Sequence, residues 1–155
     1  MNKTNKLLGC KIIMDKIFLG GTCNNSTWRS QIEKLIQAPM FNPVVDDWTK
    51  ECQAIEMDEK ENKCNIHLYV ITSEMTGVFS IAEVIDSVHN KTKITLLHVM
   101  PDGFNKVQLK SLEAVVNLVK LRGGIAFFNK NLNKTVEILN HLENNTNQAP
   151  LLFEV

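Results

Sequence analysis

The chain has no surplus of either charge: seventeen lysines and arginines offset seventeen aspartates and glutamates over 155 residues. Without a basic excess there is no electrostatic footprint for duplex DNA or for an anionic membrane surface. No run reaches the eighteen or so consecutive apolar residues of a membrane span. The four cysteines, Cys10, Cys23, Cys52 and Cys64, form no CxxC pair. That weighs against metal or disulfide frameworks and favours free thiols in a reducing compartment. No Asp, Glu, His or Cys cluster has metal-ligand spacing, and neither a metal nor another cofactor is expected. No GK[ST] follows a glycine turn, which removes the P-loop and triphosphate binding. Internal repeats and domain linkers are absent. Low net charge with 44% hydrophobic residues excludes disorder for most of the chain. Residues 1–14 (MNKTNKLLGCKIIM) lack the length and cleavage site of a secretory leader. The expectation is a soluble, cytoplasmic protein, with 1–14 an extension and 15–155 one domain.

What is present is alternation. Residues 16–21 (KIFLGG) read as a buried strand ending in glycines. Ser26 can cap the helix that follows, with Trp28, Ile32, Leu35 and Ile36 at helical spacing. Residues 40–45 predict a short strand that Pro43 confines to a sheet edge, and 49–62 a solvated helix. Residues 65–71 are the cleanest central strand, apolar apart from His67. The helix at 76–89 carries apolar residues around most of its circumference and is expected to be heavily buried. A strand at 93–99, a helix capped by Asn105 and stopped by Gly123 and Gly124, a strand at 125–128 and a helix at 131–142 complete the pattern. Five strands alternating with five helices predict a flavodoxin-like three-layer α/β sandwich, a parallel five-stranded sheet in order 2-1-3-4-5. In such sheets ligands sit beyond the carboxyl ends of the strands, near the switch in strand order.

That rule directs attention to four loops. Gly20, Gly21 and Thr22 open onto a helix N-terminus, where a ligand can approach the backbone; a turn that merely needs positive φ reads equally well. Asp46, Asp47 and Trp48 can bind sugar hydroxyls and stack on a ring, or simply cap a helix and pack its rim. Glu83 lies in the second turn of an apolar helix, where burying a carboxylate is costly unless it serves a purpose. On residues alone, a solvated Glu83 beside Asp86 is the commoner outcome. His67 and His98 read as core or edge histidines, and Met75 and Met100 as packing residues.

Taken together, FLGGT (18–22), Trp28 and Arg29, FNPVVDDW (41–48), YVIT (69–72) and MTGVFSIAE (75–83) resemble the nucleoside 2-deoxyribosyltransferase-like family, in its small bacterial and phage branch. The resemblance runs over roughly 16–99. It implies that Glu83 is the catalytic nucleophile, attacking the anomeric carbon of a nucleoside or nucleotide. It also implies a sugar and base pocket formed by Phe18, Gly20, Gly21, Thr22, Asp46, Asp47, Trp48, Asn65, Gly77, Ser80 and Met100. Partners implied are a small nucleoside or nucleotide ligand and further copies of the chain, a homo-oligomer; no nucleic acid polymer and no membrane is expected. The chain departs from the family at Asn65, where an Asp at the start of the third strand is usual, and at Thr76 and Gly77, where an acidic residue often precedes the nucleophile. Asn cannot protonate a leaving group. Two readings follow: cleavage or transfer at an N-glycosidic bond, or a non-catalytic protein that captures a nucleotide-derived molecule, as a phage protein sequestering a host signalling nucleotide would. A response regulator or flavin carrier is disfavoured, because the acidic cluster and the Thr/Ser-rich phosphate loop of those proteins are missing.

Overall fold

The computed structural model describes residues 15–145. Strand β1 (Ile17–Gly21) leads into α1 (Trp28–Leu35), β2 (Met40–Phe41) and α2 (Lys50–Asp58). A π turn (Glu59–Lys63) extends α2, and β3 (Ile66–Ile71), α3 (Phe79–His89), β4 (Ile94–Val99), α4 (Lys106–Leu121), β5 (Ile125–Phe128) and α5 (Asn133–Asn145) follow. All four strand pairings are parallel, in the order β2-β1-β3-β4-β5. This is the three-layer flavodoxin-like arrangement that the alternation of strands and helices demands.

Strand alternation divides the core in two. Ile17, Leu19, Ile66, Leu68, Val70 and Leu96 face α1 and α5, meeting Trp28, Ile32 and Leu139. Phe18, Tyr69, Ile71, Leu97 and Val99 face α3 and α4, meeting Val84, Val88, Leu112 and Val116. Successive strand residues point to opposite faces, so two apolar layers need the near-continuous hydrophobic strands seen here. Asn105 caps α4 in a reciprocal capping box with Gln108, which fixes its start.

Local chemistry corrects four expectations. The second strand keeps only two residues, because Pro43 has no N–H to continue the ladder. The helix after β1 has Thr27 rather than Ser26 at its N-cap, and the Ser26 hydroxyl is buried without a partner. The segment 59–62 is not α-helical: the Cys64 amide donates to the Glu59 carbonyl five residues back. The helix expected over 76–89 begins only at Phe79, and Val78 and Phe79 stand 75% and 70% exposed. Phe79 lines the cavity described below, while Val78 is exposed outside that lining. The stretches 1–14 and 146–155, with Cys10 and the apolar tail expected to dock on a partner, lie outside the described residues.

The two buried histidines brace opposite faces. His67 Nε2 donates to the Lys60 carbonyl (2.8 Å) and its Nδ1 meets the Ser87 hydroxyl (3.0 Å). His98 Nε2 donates to the Asn129 carbonyl (2.8 Å), and its Nδ1 meets the Thr135 hydroxyl (2.8 Å). A carbonyl can only accept, which assigns the proton to Nε2 in both rings. Burial pushes both imidazoles below their ordinary value of 6.5. Each therefore stays neutral in the fold at pH values where the unfolded chain has already taken up its proton. Stability is fully present above about pH 6.5 and is lost as pH falls below it. The urea midpoint is expected to be level between about pH 8 and 7 and to fall between about 6.5 and 5.5. A midpoint that stays constant across the lower interval contradicts this.

Candidate active site

The sheet reverses its strand order between β1 and β3, and a cavity of about 450 Å³ opens there, beyond their carboxyl ends. That volume suits a small-molecule ligand. Its floor comes from the first loop: Gly20, Gly21, Thr22, Cys23 and Asn24. One wall is Pro43, Val44, Val45 and Trp48, with Glu56 from α2; the other is Met75, Thr76, Gly77, Phe79, Ser80 and Glu83.

The first loop is held from beneath. Arg29, only 5% exposed, donates through Nε to the Leu19 carbonyl (3.0 Å), through Nη1 to Thr22 (2.6 Å) and through Nη2 to Gly21 (3.2 Å). The Trp28 indole N–H donates to the same Thr22 carbonyl (3.0 Å). The guanidinium lies 4.3 Å from the Trp28 ring centroid, a cation–π contact in a dry setting. Burial lowers its pKa, and it still stays charged at neutral pH. The loop is tied across to β3 as well. The Thr72 amide donates to Thr22 Oγ1 (2.9 Å), and the Asn24 amide nitrogen donates to Thr76 Oγ1 (2.5 Å). Glycine is obligatory at the centre. A Cβ on Gly20 would lie 2.4 Å from the Tyr69 ring, and one on Gly21, whose φ is +108°, only 2.2 Å from the Val70 carbonyl oxygen.

Glu83 reaches the cavity from the second turn of α3, with its side chain 13% exposed. Burial raises its pKa; Lys60, with Nζ 3.6 Å from Glu83 Oε1, opposes the rise. A second cavity of about 270 Å³ adjoins the first and shares Trp48, Glu56, Phe79 and Glu83 with it. The Glu83 carboxylate therefore stands in the wall between two spaces. Trp48 and Phe79, 60% and 70% exposed, line both, and aromatic rings at such a site offer surfaces on which a planar base can stack. Among the described residues, no group of three or more His, Cys, Asp or Glu side chains converges to hold a metal ion.

Of the residues proposed from sequence, Gly20, Gly21, Thr22, Trp48, Gly77, Ser80 and Glu83 line this one cavity. Five others do not. Phe18 is fully buried on the α3 face, against Phe41, His67 and Tyr69; strand alternation turns it into the core. Asp46 and Asp47 are exposed and lie outside the lining, although Val45 and Trp48 on either side contribute to it. Met100 lines a separate recess of about 200 Å³ near Thr72 and Asp102. Asn65 precedes β3, at the opposite end of the sheet. A strand of six residues rises roughly 20 Å, and the Asn65 amide donates to the Asp15 carboxylate there. What β3 delivers to the cavity is the segment after its carboxyl end, 75–77.

Asn65 thus lies outside the lining of this cavity and has a local partner in Asp15. Asn65→Asp would set two carboxylates together, and is expected to lower stability by ~1 kcal/mol with no gain in reaction rate. Urea denaturation alongside a base-release assay checks both halves. A faster reaction would return the residue to the site.

The sequence reading passed over Arg29, Glu56, Phe79 and Lys60 as site residues. Only Arg29 carried a signal, as a lone cation among the apolar positions of α1. The others sit in stretches that read as solvated or as core.

The family model for nucleoside 2-deoxyribosyltransferase-like proteins matches residues 14–100. The chain belongs to the nucleoside 2-deoxyribosyltransferase-like family. The matched segment runs from the start of β1 to the end of β4 and contains every residue lining the larger cavity. Membership in this family suggests nucleoside glycosyl transfer as the general class of activity, and a nucleoside as the kind of small molecule bound. No curated protein matches the chain. Among the described residues no helix is long and apolar enough to cross a membrane.

Proposed function

We propose that this protein breaks the N-glycosidic bond of a nucleoside, nucleotide or related ribosyl compound, with Glu83 as the nucleophile. The observation that supports this reading is the placement of one half-buried carboxylate in the wall of the cavity at the switch in strand order. A Glu83 oxygen attacks the anomeric carbon, and the base leaves with the electron pair of the C–N bond. The base is protonated by water at the open rim between Trp48 and Phe79. Water or a second base then attacks the anomeric carbon of the glycosyl ester and frees Glu83.

The environment of Glu83 suits that role. Partial burial strips water from the carboxylate and makes it more reactive, while the Lys60 ammonium opposes its protonation. The fixed glycine loop supplies a floor that admits the sugar close to the backbone. The test is incubation of the purified protein with a panel of nucleosides and nucleotides, followed by chromatography for released base and for intact ligand. Base release supports the reading. A ligand withdrawn from solution and recovered intact after denaturation replaces it with capture.

A further inference from the structure

Lys60 is the one lysine among the described residues buried to this degree, at 7% exposed. Its neighbours Asp58, Glu61 and Asn62 are exposed. The π turn makes the difference, since a turn closed over five residues ends the solvated helix α2 and brings this one side chain inward. Such turns recur at functional sites. A buried ammonium is costly unless paired. Lys60 Nζ stands 3.6 Å from Glu83, 3.8 Å from Asp86 and 4.0 Å from Glu61.

The backbone of Lys60 is locked to the helix that carries Glu83. Its carbonyl accepts from His67 Nε2. His67 Nδ1 accepts from the Ser87 hydroxyl, and that oxygen is 2.6 Å from the Tyr69 hydroxyl. Ser87 lies one helical turn beyond Glu83 on α3. His67, Tyr69 and Ser87 are all at most 2% exposed, so this chain of hydrogen bonds runs through the dry interior, where each link is strong.

We propose that Lys60 is a positioning residue for the reaction: its ammonium orients the Glu83 carboxylate and keeps it negatively charged. The inference rests on Glu83 acting as the nucleophile. Other groups also face that carboxylate. Arg29 on α1 opposes its protonation, whereas Glu56 on α2 favours it; Glu61 and Asp86 compete for the same ammonium. Lys60 is the cation nearest to Glu83 and the only one of the two not committed to backbone carbonyls, the Arg29 N–H groups being taken up by β1 and its loop.

The experiment is a carbon-13 NMR titration of the Glu83 carboxyl in the full chain, assigned by its loss in Glu83→Gln. In Lys60→Met the midpoint is expected about one pH unit or more above wild type, and in Lys60→Arg close to wild type. The acid limb of kcat/KM for base release should move upward by the same amount in Lys60→Met and return in Lys60→Arg, which a merely structural lysine would not produce. In wild type, the Lys60 Cε signal should shift at the Glu83 midpoint, and that step should vanish in Glu83→Gln; this holds even if Lys60→Met fails to fold. A Glu83 midpoint unchanged in Lys60→Met, or a Lys60 signal indifferent to Glu83, overturns the proposal. The titrations need no substrate, so absence of turnover in wild type would refute the proposed reaction without deciding the role of Lys60.

Discussion

Glu83→Gln is expected to remove base release, by ~10⁴-fold or more if the glycosyl ester is obligatory, while ligand binding and the fold survive. Gln keeps the shape and hydrogen-bonding reach of the side chain but cannot form the ester. The same substitution should not cost stability. Burial raises the Glu83 pKa in the fold, so at neutral pH the native environment disfavours the carboxylate relative to the unfolded chain. Removing its charge relieves that penalty, and the thermal midpoint should equal or exceed that of wild type. A nucleophile held at some expense to the fold is a known trade between stability and activity. If the variant melts well below wild type, the pairing of Glu83 with buried Lys60 outweighs the burial penalty on the carboxylate, and the expected trade of stability for activity is wrong.

The second large effect belongs to Gly21. An alanine there would adopt a φ of +108°, which L residues rarely tolerate, and would drive its Cβ to 2.2 Å from the Val70 carbonyl oxygen. The obstacle is the backbone of a central strand, paired on both sides, and it cannot swing away as a side-chain tip would. Gly21→Ala is expected to cost ~3 kcal/mol or more. Chemical denaturation measures that directly, and ligand affinity should fall with it because the loop forms the cavity floor. A variant as stable as wild type would mean that β1 and β3 can separate at this point. The cavity would then be less rigid than the hydrogen bonds from Arg29 and Thr72 indicate.

How much of this was legible in the sequence depends on which physical signal each feature leaves. The sheet was legible because parallel strands buried on both faces read as unbroken apolar runs, and strand order follows from right-handed crossovers. The glycine loop was legible as a break ending an apolar strand, whereas Glu83 read on residues alone as more often solvated, and only the family resemblance singled it out as the nucleophile. The exposed first turn of α3 was not legible. Phe79 satisfies the helical period of the core, and nothing in its spacing separates an apolar residue that packs from one that lines a cavity. The resemblance put Asn65, at the start of the third strand, among the pocket residues, whereas the structure sets that strand start away from this cavity. The geometry of β3 shows that residues six positions apart along a strand cannot share a ligand of nucleoside size. Lys60 left no trace, because the stretch 59–63 (EKENK) has the composition of a solvated helix end. Only the widened turn, a backbone event, carries that lysine inside.

One measurement bears most directly on the central claim, that Glu83 forms a covalent bond to the sugar. The protein is mixed with each nucleoside or nucleotide that it binds and quenched in acid within milliseconds to seconds. Its mass is then read intact and after proteolysis. The account predicts a mass increase equal to the glycosyl group, located on the peptide that contains Glu83 and missing from Glu83→Gln. Base release at an undiminished rate in Glu83→Gln, or an adduct on another residue, would contradict it.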